Sequence, residues 1–133
     1  MIRHIVAWGP ATLWLAVLFL LSDQTSDAVP SWWSVNDTVA HLGLYGILGA
    51  TLAWGRHLSG ARPGWPVLAI GGLLWALSDE WHQSFVPGRT PSLSDLAADA
   101  VGLFIGAALV AALLRRTWPA PRATGTQPLD ASS

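Results

Sequence analysis

Apolar positions dominate four long runs of the chain, and short polar breaks separate them. The first run is Ile5–Leu21, interrupted mildly by Trp8, Gly9, Pro10 and Thr12. The others cover about Asp37–Trp54, Trp65–Gln83 and Leu93–Leu114. A membrane-spanning helix takes roughly 17–25 mostly apolar residues, so each run is long enough to cross. The pattern predicts an all-α, polytopic membrane protein with four transmembrane helices in a small bundle. Arg3 and the segment Ser26–Ala28 imitate the flanks of a signal peptide. The first run exceeds the roughly 7–15 apolar residues of such a peptide, so it is read as a span.

The breaks have distinct chemistry. Ser22–Asn36 holds Asp23, Asp27 and Pro30, with Trp32 and Trp33 as interfacial anchors. Arg56, His57, Arg62 and Pro63 form a basic turn flanked by Trp54 and Trp65. Phe85–Ser92 is a tight connection, because Pro87-Gly88 is a strong turn signal. Residues 1–116 are expected to form one transmembrane domain. Residues 117–133, rich in Pro, Ala, Thr, Gly and Ser, read as a disordered cytoplasmic tail.

Composition sharpens this picture. The chain is 52% hydrophobic and only 11% charged, whereas soluble domains carry about 25% charged residues. Lysine is absent and the net charge is −1, which excludes a nucleic-acid partner, since that needs a basic surface. Cysteine is absent too, removing disulfides, thiol catalysis and thiolate metal sites. In a four-span arrangement Arg3, Arg56, Arg62, Arg115, Arg116 and Arg122 fall on one side and Arg89 on the other. Cytoplasmic loops carry the Arg excess. Both termini are therefore expected in the cytoplasm.

The charges that remain are concentrated. Ser78–Gly102 packs Asp79, Glu80, His82, Arg89, Asp95 and Asp99 between two apolar segments. Ionisable residues inside a span are costly and mark functional sites. Helical spacing puts Asp37, His41 and Tyr45 on one face, and Asp95 and Asp99 on another. Asp79, His82 and Gln83 are expected to share a face, with Glu80 pointing partly elsewhere. Gly102-x-x-x-Gly106 would let a neighbouring helix approach closely. All these groups fall in the outer half of the bundle. The blander readings are local. Ser34…Asp37 and Ser92…Asp95 fit capping boxes, Tyr45 fits packing, and Arg89 fits neutralisation of nearby acids. Asp, Glu and His suit zinc or manganese. The His-Glu-x-x-His spacing of helical zinc sites is absent, however, and no metal or other cofactor is assigned. The two outer hairpins also look alike. Leu21-Ser22-Asp23 matches Leu77-Ser78-Asp79, and Ser34/Asp37/His41 matches Ser92/Asp95/Asp99, in the manner of a parallel repeat.

The run SDEWHQSFVPGRTPSLSDLAADAVG, preceded by DTVAHLGLYGILG from Asp37, resembles the VanZ-like family. The resemblance rests on Asp37, His41 and Tyr45, then on Asp79, Glu80, His82, Gln83, Pro87, Gly88, Arg89, Ser92 and Asp95, and covers about Leu20 to Leu114. Asp99 stands where the family often has Asn, and Thr38 where Lys is frequent, which makes this outer face more acidic. The resemblance implies a small bacterial integral membrane protein and a link to low-level teicoplanin resistance.

Three functions follow as expectations. The first is a cell-envelope protein whose outer site binds or modifies a lipid-linked wall precursor or another envelope component. Asp79, Glu80, His41 and Asp37 would then supply acid–base chemistry. Arg89, His82, Gln83, Ser92, Asp95, Asp99 and Tyr45 would hold the ligand. The second is a non-catalytic protein that binds or shields a surface a glycopeptide needs. The third is a structural membrane protein whose polar cluster only fixes helix packing. The partners expected are the lipid bilayer, an envelope precursor or glycopeptide, and a second copy of the chain.

Overall fold

A computed structural model describes residues 2–25 and 37–118. Among them are four helices and no strand: α1 (Ile2–Ser22), α2 (Asp37–Leu58), α3 (Trp65–Gln83) and α4 (Leu93–Thr117). α3 has the expected bounds, whereas α1, α2 and α4 run a few residues longer than expected, with polar residues such as Arg56, His57, Arg115 and Arg116 continuing the last turns of α2 and α4. Basic side chains suit a helix C-terminus, where the backbone dipole is negative. The anchors Trp32 and Trp33, the cap residue Ser34 and the tail from residue 119 lie outside the described residues.

The helices alternate in direction. Trp14 Nε1 donates to the Leu44 carbonyl and Trp54 Nε1 to the Val6 carbonyl, which sets α1 antiparallel to α2. Thr38 meets Asp95 and His41 meets Asp99, so α2 and α4 run parallel. Tyr45 reaches back to Asp79 near the end of α3. The ends of α1 and α3 and the starts of α2 and α4 therefore share one end of the bundle.

Glycine sets the central contact. A Cβ on Gly102 would fall on the Leu42 carbonyl, one on Gly106 on the Gly46 carbonyl, and one on Gly49 on the Leu103 carbonyl. The Gly102/Gly106 pair thus seats α4 directly against the backbone of α2, as small residues do between close helices. Around this seam Leu18, Tyr45, Leu48, Ala76 and Leu103 form the buried core.

A separation of 58 positions recurs among the buried residues. His41 and Asp99, separated by 58 positions, face each other across the α2–α4 seam. The same separation relates buried Leu18 to buried Ala76, and buried Ser22 to buried Glu80. The expected match of Ser22-Asp23 to Ser78-Asp79 does not describe α1 and α3. Ser22 is buried and Ser78 exposed, while Asp79 is buried and Asp23 exposed.

Candidate functional site

The polar residues gather where the four helix ends meet. His41, Asp79, Glu80, Gln83, Asp95 and Asp99 are all buried, and Asp99 is completely so, at 0% exposure. Asp37 and Arg89 sit at the rim, with side chains 41% and 11% exposed.

On α3 the buried stripe is Ala76, Asp79, Glu80 and Gln83. This is the spacing of one helix face. Glu80 therefore points inward with Asp79, contrary to the expectation that it faces partly elsewhere. His82 lies off this stripe. Its Nε2 is 3.3 Å from Asp23 Oδ1, and its ring packs against Phe19, both contributed by the α1 end. The structure thus brings Asp37, His41, Tyr45, Asp79, Glu80, Asp95 and Asp99 together and turns His82 toward α1.

Each carboxylate has a partner on another element. His41 Nδ1 lies 2.9 Å from Asp99 Oδ1. Tyr45 O–H donates to Asp79 Oδ2 at 3.2 Å, and Thr38 Oγ1 donates to Asp95 Oδ1 at 2.8 Å. The Ser92 N–H donates to Glu80 Oε2 at 2.9 Å. The last two contacts replace the capping box expected at Ser92…Asp95. Ser92 does cap α4, accepting from the Ser94 N–H at 3.2 Å. In a capping box, however, the third helical residue would accept from the cap N–H. Here Glu80 takes that bond from across the turn, which frees Asp95 for Thr38.

The turn itself aims Arg89. The Arg89 N–H donates to the Val86 carbonyl at 3.1 Å, and Gly88 has φ +80°. Proline second and a positive-φ glycine third make a type II turn. It brings Arg89 Nη1 to 3.9 Å from Asp37 Oδ1, which also lies 3.9 Å from His41 Nε2. Two exposed serines beside the site are engaged locally: Ser78 Oγ donates to the Trp75 carbonyl and Ser84 Oγ to the Trp81 carbonyl.

Two sets of side chains have ligand atoms within 4.8 Å of one another: Asp37, His41 and Asp95, and His41, Glu80 and Asp99. Both depend on His41, through different ring nitrogens. Sequence reasoning did not single out either triad, since its members come from three helices. Cavities of about 260 Å³ and 620 Å³ lie away from this cluster, the larger bordered by Arg3, Arg56, His57 and Arg115 at the opposite end. There the Arg56 guanidinium sits 4.8 Å over the Trp65 ring.

Among protein families, the model of the VanZ/LLP1 family matches residues 7–115. No curated protein and no solved structure matches the chain.

Proposed function

From the premise that the chain belongs to the VanZ/LLP1 family, we propose that it is a multi-pass protein of the bacterial inner membrane. Its polar end faces outward, and there it binds or modifies an anionic, lipid-linked component of the cell envelope. In doing so it lowers susceptibility to the glycopeptide teicoplanin.

Several observations support the topology. Helices α1 and α4 are long and apolar enough to cross a membrane. α2 and α3 have 22 and 19 residues, about 33 and 28 Å at 1.5 Å per residue, close to the roughly 30 Å of a bilayer core. They are less apolar because they carry the site, and they hide those polar groups inside the bundle. Their outward faces present Val39, Ile47, Val67, Ile70 and Leu74. Residues 1–116 then form the membrane domain, residues 117–133 follow as a tail, and both termini are cytoplasmic.

The observation that carries the functional reading is the convergence of His41, Asp79, Glu80, Asp95 and Asp99, all buried, beside the half-buried Arg89. A cluster like this is expensive to keep out of water, and ionisable groups retained inside a membrane bundle at that cost point to function. Arg89 orients the anionic group, and the carboxylates with His41 provide acid–base or ligating capacity.

A second reading is favoured by the cross-element hydrogen bonds themselves, which on their own serve to fix helix packing. The decisive experiment measures teicoplanin susceptibility of a sensitive Gram-positive host making wild type or Glu80→Gln at matched membrane abundance. The expected result is several-fold protection by wild type and none by the variant. Equal protection by both favours the packing role. Absence of protection by wild type removes the teicoplanin assignment.

A further inference from the structure

We infer that His41, Glu80 and Asp99 bind one divalent transition-metal ion, of the zinc or manganese class, at the polar end of the bundle. The donor set is the first argument. One imidazole and two carboxylates suit zinc or manganese. Their ligand atoms all lie within 4.8 Å of one another, and all three residues are buried.

The second argument is what the hydrogen bonds leave over. Glu80 uses Oε2 for the Ser92 N–H, and Asp99 uses Oδ1 for His41. Glu80 Oε1 and Asp99 Oδ2 are buried without a hydrogen-bond partner among the described residues. A buried oxygen of this kind needs a proton or a cation beside it. Glu80 Oε1 lies 4.0 Å from His41 Nδ1, and Asp99 Oδ1 lies 2.9 Å from it. Ligand atoms on a tetrahedral zinc with bonds of roughly 2.0–2.1 Å stand roughly 3.3 Å apart, between these two values. The ion would replace the proton shared by His41 Nδ1 and Asp99 Oδ1 and leave Asp99 Oδ2 free to turn toward it, and a small adjustment of side chains brings all three residues onto one ion.

The surroundings agree with a metal site. Ligation through Nδ1 leaves the proton on His41 Nε2, which faces Asp37 Oδ1 at 3.9 Å. A carboxylate behind the second ring nitrogen is the usual support of a metal-bound histidine. Asp79 and Asp95 add negative charge nearby, and each is already engaged by a hydroxyl. Three protein ligands also leave one coordination position open, as in catalytic zinc sites.

The ion resolves a conflict within the proposed function, on which this last step rests. A cluster of acids repels an anionic head group, and Arg89 alone offsets little of that charge. A divalent ion facing the open position attracts the anion instead, acting as a Lewis acid or a bridge.

The test uses the full chain, purified in mild detergent and stripped with a chelator. Binding of Mn²⁺ is followed by loss of its free-ion EPR signal, and of Zn²⁺ by calorimetry. The expected result is one ion per chain. Glu80→Gln and Asp99→Asn should each weaken it at least tenfold while circular dichroism remains that of wild type. Asp23→Asn, an exposed acid at the same end, should bind as wild type does. Wild type that takes up less than one ion at millimolar Mn²⁺ or Zn²⁺ overturns the site whatever the variants do. Folded Glu80→Gln and Asp99→Asn proteins that bind like wild type also overturn it. Because binding is read on purified protein, a chain that protects cells from teicoplanin yet binds no ion refutes the metal alone.

Discussion

Asp99 is fully buried, with His41 as its one hydrogen-bonding neighbour among the described residues. His41→Ala leaves the whole carboxylate unpartnered and opens space beside it. Tyr45→Phe is milder. It removes one O–H from Asp79 and leaves the ring in place, and Asp79 is 8% exposed where Asp99 is 0%. Polar bonds between helices in a membrane are worth about 0.6 kcal/mol on average, whereas stranding a buried polar group costs about 1–3 kcal/mol. Unfolding in mixed micelles should therefore place Tyr45→Phe within about 1 kcal/mol of wild type, and His41→Ala about 2 kcal/mol or more below it. Equal losses would mean that the His41–Asp99 contact is not the stronger tie. The residues of this cluster were legible in the sequence, because acids and a histidine stand out in apolar helices. Their partners were less so. Whether Glu80 or His82 turns inward depends on where α1 docks. That Glu80 holds the Ser92 N–H depends on the turn between α3 and α4, which a local capping pattern does not contain.

At the scale of the helices, the α2–α4 seam is the element most exposed to change. Gly106 faces the Gly46 backbone with no room for a side chain, whereas Gly43 and Gly71 sit on open helix faces with nothing within 4 Å of a Cβ. Gly106→Val must push the helices apart, and overpacking of this kind costs about 1–3 kcal/mol. It also separates His41 from Asp99, so the damage spreads to the site. Gly43→Ala and Gly71→Ala replace a poor helix former in free space and should be neutral or stabilising by up to about 1 kcal/mol. Thermal unfolding of the three variants in one detergent checks the contrast, and a Gly106→Val protein as stable as Gly43→Ala would refute the seam. The Gly102-x-x-x-Gly106 spacing announced such a contact. It did not name α2 as the partner, since Gly46 and Gly49 are only two of several glycines on the other helices.

For the whole molecule, the alternating helices and the arginine distribution make a single topological claim. The four apolar runs were legible because each is long and sharply bounded, yet only α1 and α4 are apolar enough to stand as spans alone. The 58-position relation between His41 and Asp99 offers a physical reason to treat α2 and α3 as spans as well. If α1 crosses the membrane, its structural counterpart α3 crosses in the same direction. If α4 crosses, so does its counterpart α2, lying parallel and in contact along its length. The absence of native cysteine makes this claim testable without background. Thr90 lies on the connection between α3 and α4, Arg62 on the connection between α2 and α3, and Thr117 at the end of α4, all exposed. In intact spheroplasts a membrane-impermeant maleimide should label Thr90→Cys, and should reach Arg62→Cys and Thr117→Cys only after lysis. Labelling of Arg62→Cys from outside would place the basic turn on the wrong face and dissolve the four-span arrangement. Labelling of Thr117→Cys together with Thr90→Cys would leave α4 on one side of the bilayer. The expected pattern instead requires α4 to cross, and it puts the end of the bundle that holds Asp37, Glu80, Arg89 and Asp99 on the outer side of the membrane.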